Sequence, residues 1–388
     1  MDIMQLDEQY IANTYHRFPV VFTKGKGSLI WDEAGKSYID LGGGIAVNSF
    51  GIADPVWCEA VAGQLSCLQH VSNYYYTAPQ TRLAALLCEK TGMKKVFFSN
   101  SGAEANECAI KAARKYGNDR SGGARNTIVT LKNSFHGRTL ATLSATGQEA
   151  LHQHFGPFLP GFIYADANDL EDMKEKLSDP AVCAVMMEMV QGEGGVNVLR
   201  KSFVRETARL AAEKDILVIV DEVQTGNGRC GSLYAYMQYD IEPDIVSTAK
   251  GLGGGLPLGA TLFGPKTQGV LSAGMHGSTF GGNPVCAAGA VSVLERMNQP
   301  LMNAVMAKSK FILRALTGVP GVKSISGMGL MLGIETEAPP QDIAAACLKK
   351  GVLVLTAKDK VRLLPALNIP MELLEQAVDT LKQAILHP

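Results

Sequence analysis

The apolar positions of this chain fall into two textures. Through the middle, short continuous apolar runs alternate with amphipathic stretches. Val96-Phe-Phe-Ser99, Thr127-Ile-Val-Thr-Leu131, Ala184-Val-Met-Met-Glu-Met-Val190 and Ile216-Leu-Val-Ile-Val220 carry too little polarity for half-exposed strands. Runs of this kind suit strands covered on both faces, as in a parallel α/β sheet. Asp244-Ile-Val-Ser-Thr248 and Ala260-Thr-Leu-Phe-Gly264 extend the series. Between them a helix is predicted over Ala103–Tyr116, with Ala105, Ala109, Ala112 and Tyr116 on one stripe.

After about residue 300 the pattern changes. Helices are predicted over 301–316, 341–350 and 371–386, and extended segments at Gly329–Glu335, 352–356 and Val361–Leu364. That reads as a smaller α+β domain. With 388 residues and roughly 150 per domain, two unequal domains are expected. No fixed-period repeat or low-complexity linker interrupts them.

Composition narrows the class. The chain is 46% apolar and 19% charged, which argues against disorder. Its net charge of −1 supplies no basic face for nucleic acid or an anionic membrane. The eight cysteines form no CxxC unit, so a reducing, cytoplasmic setting is expected rather than a disulfide scaffold. Met1–Glu8 does not read as a secretory signal. Thr267–Leu294 is uncharged but contains His276, Asn283, Pro284 and several glycines, which argues against a membrane span. His152 and His154 read as surface histidines rather than a metal pair. Glycine stands out, at 41 residues.

Five segments carry candidate chemistry. Ser99-Asn-Ser-Gly-Ala-Glu-Ala-Asn106 follows a strand and opens a helix, so it is either an anion seat built from free N–H groups or a plainly capped turn. Asp221 and Glu222 leave the C-terminal end of an apolar strand, where open α/β sheets bind ligands. An acid there is able to hold the protonated ring nitrogen of a heterocycle; a solvated loop carboxylate is the plain alternative. Lys250 ends an apolar run and enters a glycine-rich loop, where a desolvated amine is able to attack a carbonyl. Ser134-Phe-His-Gly-Arg-Thr139 offers an aromatic ring and an Arg suited to a carboxylate. Gly277-Ser-Thr-Phe-Gly-Gly-Asn-Pro284 offers two hydroxyls. Jointly, a phosphate seat, a stacking ring, an acid for a pyridinium nitrogen and a carbonyl-capturing Lys are the requirements of pyridoxal phosphate.

The order of these motifs resembles the class III (ω-amino acid) aminotransferases over nearly the whole chain. The resemblance rests on Gly25–Asp32, Gly43–Asn48, Ser99–Asn106, Gln191–Gly195, Asp221–Gly226, Lys250–Gly255 and His276–Pro284. It implies the type I pyridoxal-phosphate fold, an α/β architecture. Its large domain, with a mostly parallel sheet, would span 51–294, and its small α+β domain 1–50 plus 295–388. It implies a homodimer with sites at the subunit boundary.

By the same resemblance Ser101, Gly102 and Ala103 would bind the cofactor phosphate, Phe135 would stack on its ring, and Val223 would cover the other face. Asp221 would pair with the ring nitrogen, Gln224 would reach the ring hydroxyl, and Lys250 would carry the cofactor covalently. Thr279 would reach phosphate in the partner subunit. Ser278 and Tyr15 would stand near the substrate, and Arg138 would hold its α-carboxylate. Glu193 and Arg362 would form a pair that opens when a second carboxylate must be bound. The implied reaction moves the terminal amine of N2-acetyl-L-ornithine to 2-oxoglutarate, giving N-acetyl-L-glutamate 5-semialdehyde and L-glutamate, as in arginine biosynthesis. Succinylornithine, ornithine and 4-aminobutyrate transamination are the rival reactions, and a non-catalytic pyridoxal-phosphate-binding regulator is the rival of another class. Eighteen of the glycines fall at 42–44, 192–195, 226–231, 251–259 and 274–282, each cluster touching or adjoining one of these motifs.

Overall fold

The structure, a computed structural model, describes residues 2–388. Its largest sheet has seven strands, in the order Lys95–Ser99, Gly259–Phe263, Ile245–Thr248, Leu217–Asp221, Val182–Met187, Thr127–Leu131 and Phe162–Ala165. Gly259–Phe263 runs antiparallel to both neighbours, and the other pairings are parallel. The continuous apolar runs follow from burial on both faces. Along Leu217–Asp221, Leu217 and Ile219 pack toward one core and Val218 and Val220 toward the other.

The helix Gly102–Ser121 covers one face. Ala105, Ala109, Ala112 and Tyr116 are buried against the sheet, and Gly122, at φ 63°, ends the helix. The opposite face belongs to a larger core, continuous with the C-terminal helices through Leu363, Leu374 and Val378.

Two smaller sheets flank this unit. Phe22–Lys26, Leu29–Asp32 and Ser37–Asp40 form an antiparallel ribbon, and Val352–Leu353 joins it parallel to Ser37–Asp40. The second sheet runs Val322–Met328, Met331–Thr336, Lys360–Leu363, Leu355–Ala357, all antiparallel. Helices Gln299–Leu316, Pro340–Lys349 and Met371–Leu386 accompany it.

Two expected strands break. The run 184–190 stops at Met187, and Val190–Gln191 instead pairs with Asn197–Val198. Glu188 sits at the break and accepts the Phe135 N–H at 3.0 Å, so its carboxylate leaves the ladder for the cavity described below. The segment 352–356 divides between the two small sheets, because Val352–Leu353 and Leu355–Ala357 find different partners. The uncharged stretch 267–294 is loop followed by all but the last residue of the helix Pro284–Glu295. Among the described residues no helix is long and apolar enough to cross a membrane.

Candidate active site

The parallel strands aim their C-terminal ends at one edge, and a cavity of about 460 Å³ opens there. Ser99 leads to Ser101–Ala103, Leu131 to Phe135, Met187 to Glu188, and Thr248 to Lys250, while Asp221 ends its own strand. Five loops far apart in sequence thus meet because open α/β sheets bring these ends together.

Asp221 is buried at the floor. Its Oδ2 accepts from Asn106 Nδ2 at 2.7 Å and lies 2.8 Å from His136 Nδ1, and its Oδ1 accepts the Val223 N–H at 3.0 Å. The carboxylate is held rigidly and keeps acceptor capacity toward the cavity. His136 is buried, and its Nε2 has no partner among the described residues. Glu222, next in the chain, points the other way. It is buried, accepting from Thr225 Oγ1 at 2.6 Å and the Tyr236 N–H at 2.8 Å, and burial pushes its carboxyl up to about 7.

Lys250 opens a short 3₁₀ turn with φ 46°, a left-handed conformation that side-chain-bearing residues rarely adopt. Such strain persists where the surroundings over-determine it. Desolvation pulls the Lys250 amine below the ordinary lysine range, against the opposing pull of Glu193. A larger share of the neutral, nucleophilic amine follows.

The helix start is the candidate anion seat. Ser101 caps it, its Oγ accepting the Glu104 N–H at 3.2 Å. Glu104 folds back to accept the Asn100 N–H at 2.8 Å and Asn100 Nδ2 at 3.0 Å. Gly102 and Ala103 therefore bring the unclaimed first-turn N–H groups to the cavity wall. Gly102 is required by space, since a Cβ there would stand 2.6 Å from Val223 Cγ1. Phe135 and Val223 are both part of the cavity wall. Arg138 is exposed at its rim, 5.6 Å from the Phe135 ring centroid.

Beside the cavity, Arg362 Nη1 lies 2.7 Å from Glu193 Oε1 and donates to Gly192 O and Gln224 Oε1, each at 3.2 Å. Gln224 Nε2 donates to the same Glu193 oxygen at 3.1 Å, and Gln224 lines the cavity. Burial raises the Glu193 carboxyl, but the Arg362 charge and hydrogen bond outweigh it and hold the group below the usual range.

Three expected site residues lie elsewhere in the single chain. Ser278 and Thr279 line a neighbouring surface cavity with His70, Asn73 and His276. Ser278 Oγ touches the anion seat only through Asn100 Nδ2, at 3.2 Å. Tyr15 is exposed, beneath the Arg17 guanidinium. Conversely, sequence reasoning assigned no role to His136, Asn106 or Glu188. His136 and Asn106 stood inside quoted motifs, but their contact with Asp221 exists only in three dimensions. Glu188 is buried, and burial, reinforced by the Asp221 charge, raises its carboxyl well above the ordinary range.

His152 contacts the Leu143 carbonyl through Nε2 at 2.9 Å and packs on Phe158, while His154 is exposed. Among the described residues no group of three or more His, Cys, Asp or Glu is placed to hold a metal.

The residues fit pyridoxal phosphate. Free helix-start N–H groups match its phosphate, Phe135 and Val223 its flat ring, Asp221 its pyridinium nitrogen, and the Lys250 amine, lowered by burial, its aldehyde. A Cβ on Gly102 would collide with Val223, so these two parts of the cavity wall meet only because residue 102 is glycine.

Comparison with known proteins agrees. A family profile described as aminotransferase class-III matches residues 10–385. The chain is 50% identical over 385 residues to a Haemophilus ducreyi protein named acetylornithine aminotransferase, covering 99% of this chain and 98% of that one. It is 44% identical over 382 residues to a Citrobacter koseri protein named succinylornithine transaminase, covering 96% and 94%. The crystal structure of an ornithine aminotransferase from Toxoplasma gondii superposes with a TM-score of 0.94 at 32% identity, covering 99% of this chain and 94% of that one. The chain belongs to the class-III aminotransferases, enzymes that use pyridoxal phosphate to exchange amino groups between amino acids and oxo acids.

Proposed function

We propose that this enzyme transfers the terminal amine of N2-acetyl-L-ornithine to 2-oxoglutarate, giving N-acetyl-L-glutamate 5-semialdehyde and L-glutamate. One observation supports a terminal-amine donor alternating with a dicarboxylic one, and the 50%-identical relative named acetylornithine aminotransferase supports the acetylated donor among these. The Glu193–Arg362 pair is closed beside the cavity at 2.7 Å, so the second carboxylate site is masked until needed. A monocarboxylate donor whose terminal amine reacts requires one carboxylate holder, for which Arg138 at the rim is suited. Glutamate requires two, and its extra carboxylate replaces Glu193 on Arg362, so the guanidinium is never left buried and unpaired.

The bound cofactor supplies an electron-withdrawing ring that acidifies the substrate carbon bearing the amine. Asp221, fixed by His136 and Asn106, supplies the negative charge that keeps the ring nitrogen protonated. Gly102 and Ala103 anchor the phosphate, and Phe135 and Val223 hold the ring flat between them. Lys250 Nζ, largely desolvated and released by the incoming amine, would carry the proton from the substrate carbon that bears the amine to the cofactor carbon that held the aldehyde, so that none is gained or lost.

The homodimer is part of the proposal. Tyr74, Tyr75, Tyr76 and Phe280 are exposed aromatic side chains around the loop that bears Thr279, and an aromatic patch of this kind suits a second copy of the chain. In that arrangement Thr279 serves the partner's phosphate. The division into 51–294 and 1–50 plus 295–388 is also our reading; it is supported by the strand Val352–Leu353, which joins the N-terminal ribbon.

The rival donor of greatest interest is N-succinylornithine, because a relative of that name is 44% identical. A single-turnover panel of N-acetylornithine, N-succinylornithine, ornithine and 4-aminobutyrate decides. N-acetylornithine should show the highest kcat/KM; a clear preference for any other donor overturns the assignment.

A further inference from the structure

Arg229 takes no part in the chemistry above, yet it sits on the loop that carries Gln224. Its side chain is among the largest that are fully buried, and among the described residues no carboxylate bonds it. Nη1 donates to Leu330 O at 3.1 Å and to Pro365 O at 2.5 Å. Its own carbonyl accepts the Leu330 N–H at 2.9 Å. Nε is buried without a partner. Burial draws the guanidinium down to about 10, with the Asp40 charge opposing. A buried cation that spends itself on carbonyls is a costly way to fill space, and an apolar side chain would do so more cheaply. What the arginine contributes is placement.

Leu330 and Pro365 lie just past the same end of the antiparallel pair Met331–Thr336 and Lys360–Leu363. Within that pair Gly333 stands opposite Arg362. Arg229 therefore grips both strands of the ladder that holds Arg362. The approach is close: a Cβ on Gly329, whose φ is +58°, would stand 2.5 Å from the Arg229 carbonyl oxygen. From the same loop, five residues earlier, Gln224 contacts Arg362 and Glu193 directly. One loop thus fixes the strand that carries the guanidinium and also meets the guanidinium itself.

We infer that Arg229 is a positioning residue that sets the placement of Arg362 against Glu193 and Gln224, and thereby governs acceptance of the dicarboxylic substrate. This rests on the reading of Arg362 as the holder of the second carboxylate. The test compares R229K, R362A and the unaltered holoenzyme in half-reactions with glutamate and with N-acetylornithine. R229K keeps the charge, but its ammonium ends about one bond short of the Nη1 position that donates to both carbonyls. Its KM for glutamate should rise about tenfold or more while that for N-acetylornithine stays within about threefold. Equal changes in both, or none in either, overturn the inference. If R362A leaves glutamate unaffected, the reading of Arg362 falls and the inference with it; if R362A impairs glutamate and R229K does not, the inference alone falls. Should R229K fail to fold, hydrogen exchange on the unaltered enzyme decides. The Leu330 amide should be as protected as those of Leu217–Asp221, and markedly faster exchange overturns a rigid grip.

Discussion

Arg362 Nη1 lies 2.7 Å from Glu193 Oε1, and Gln224 bonds both partners, so the guanidinium charge is covered before a substrate arrives. The arrangement suits an enzyme that alternates between donors with one and two carboxylates.

Replacing Glu193 by Ala should therefore change discrimination more than overall rate. With Arg362 uncovered, glutamate gains relative to N-acetylornithine. The ratio of their half-reaction kcat/KM values should move by about tenfold or more toward glutamate, equivalent to about 1.4 kcal/mol. An unchanged ratio would contradict the role of the pair.

His136 lies behind Asp221 at 2.8 Å, within a buried network that also includes Asn106. A hydrogen bond to a charged group contributes about 1.5–3 kcal/mol, so His136→Leu should slow the half-reaction with either donor by roughly 10- to 100-fold. Both donors should suffer alike, because Asp221 serves both half-reactions. Rates within about threefold of the unaltered enzyme would show that the imidazole is packing only.

Glu188 makes a prediction about pH. Burial, with the Asp221 charge adding to it, raises its native value above the ordinary glutamate value of about 4.3. Below that value both states hold the proton and the group costs nothing. As pH rises past it, the unfolded chain releases the proton more readily than the native one, so stability declines toward the raised value. Glu188→Gln removes this contribution. Its thermal midpoint should gain on the unaltered protein as pH rises from about 5; parallel curves would contradict a raised Glu188.

Much of this was legible in sequence, for a physical reason. Thr127–Leu131 and Met371–Leu386 occur where their patterns predicted them, because burial on both faces and burial on one stripe leave different periodicities. Lys250, Asp221 and the Ser99–Asn106 turn were legible because each stands at or just past the end of a strand at the sheet edge. Other features depend on pairings remote in sequence. Val352–Leu353 joins a sheet more than 300 residues away, and no local pattern marks where 352–356 divides. His136 and Glu188 matter through Asp221 and Phe135, neighbours created by the fold. Arg229 reads as an ordinary loop charge until Leu330 and Pro365 close over it.

The central claim is that Lys250 holds pyridoxal phosphate in a site that N-acetylornithine empties of its bound aldehyde and 2-oxoglutarate restores. Absorbance of the purified holoenzyme tests it most directly. The account predicts a visible band that Lys250→Ala abolishes, that N-acetylornithine bleaches and that 2-oxoglutarate brings back. A band that persists in the presence of every amino donor would contradict it and mark the chain as a protein that binds the cofactor without using it.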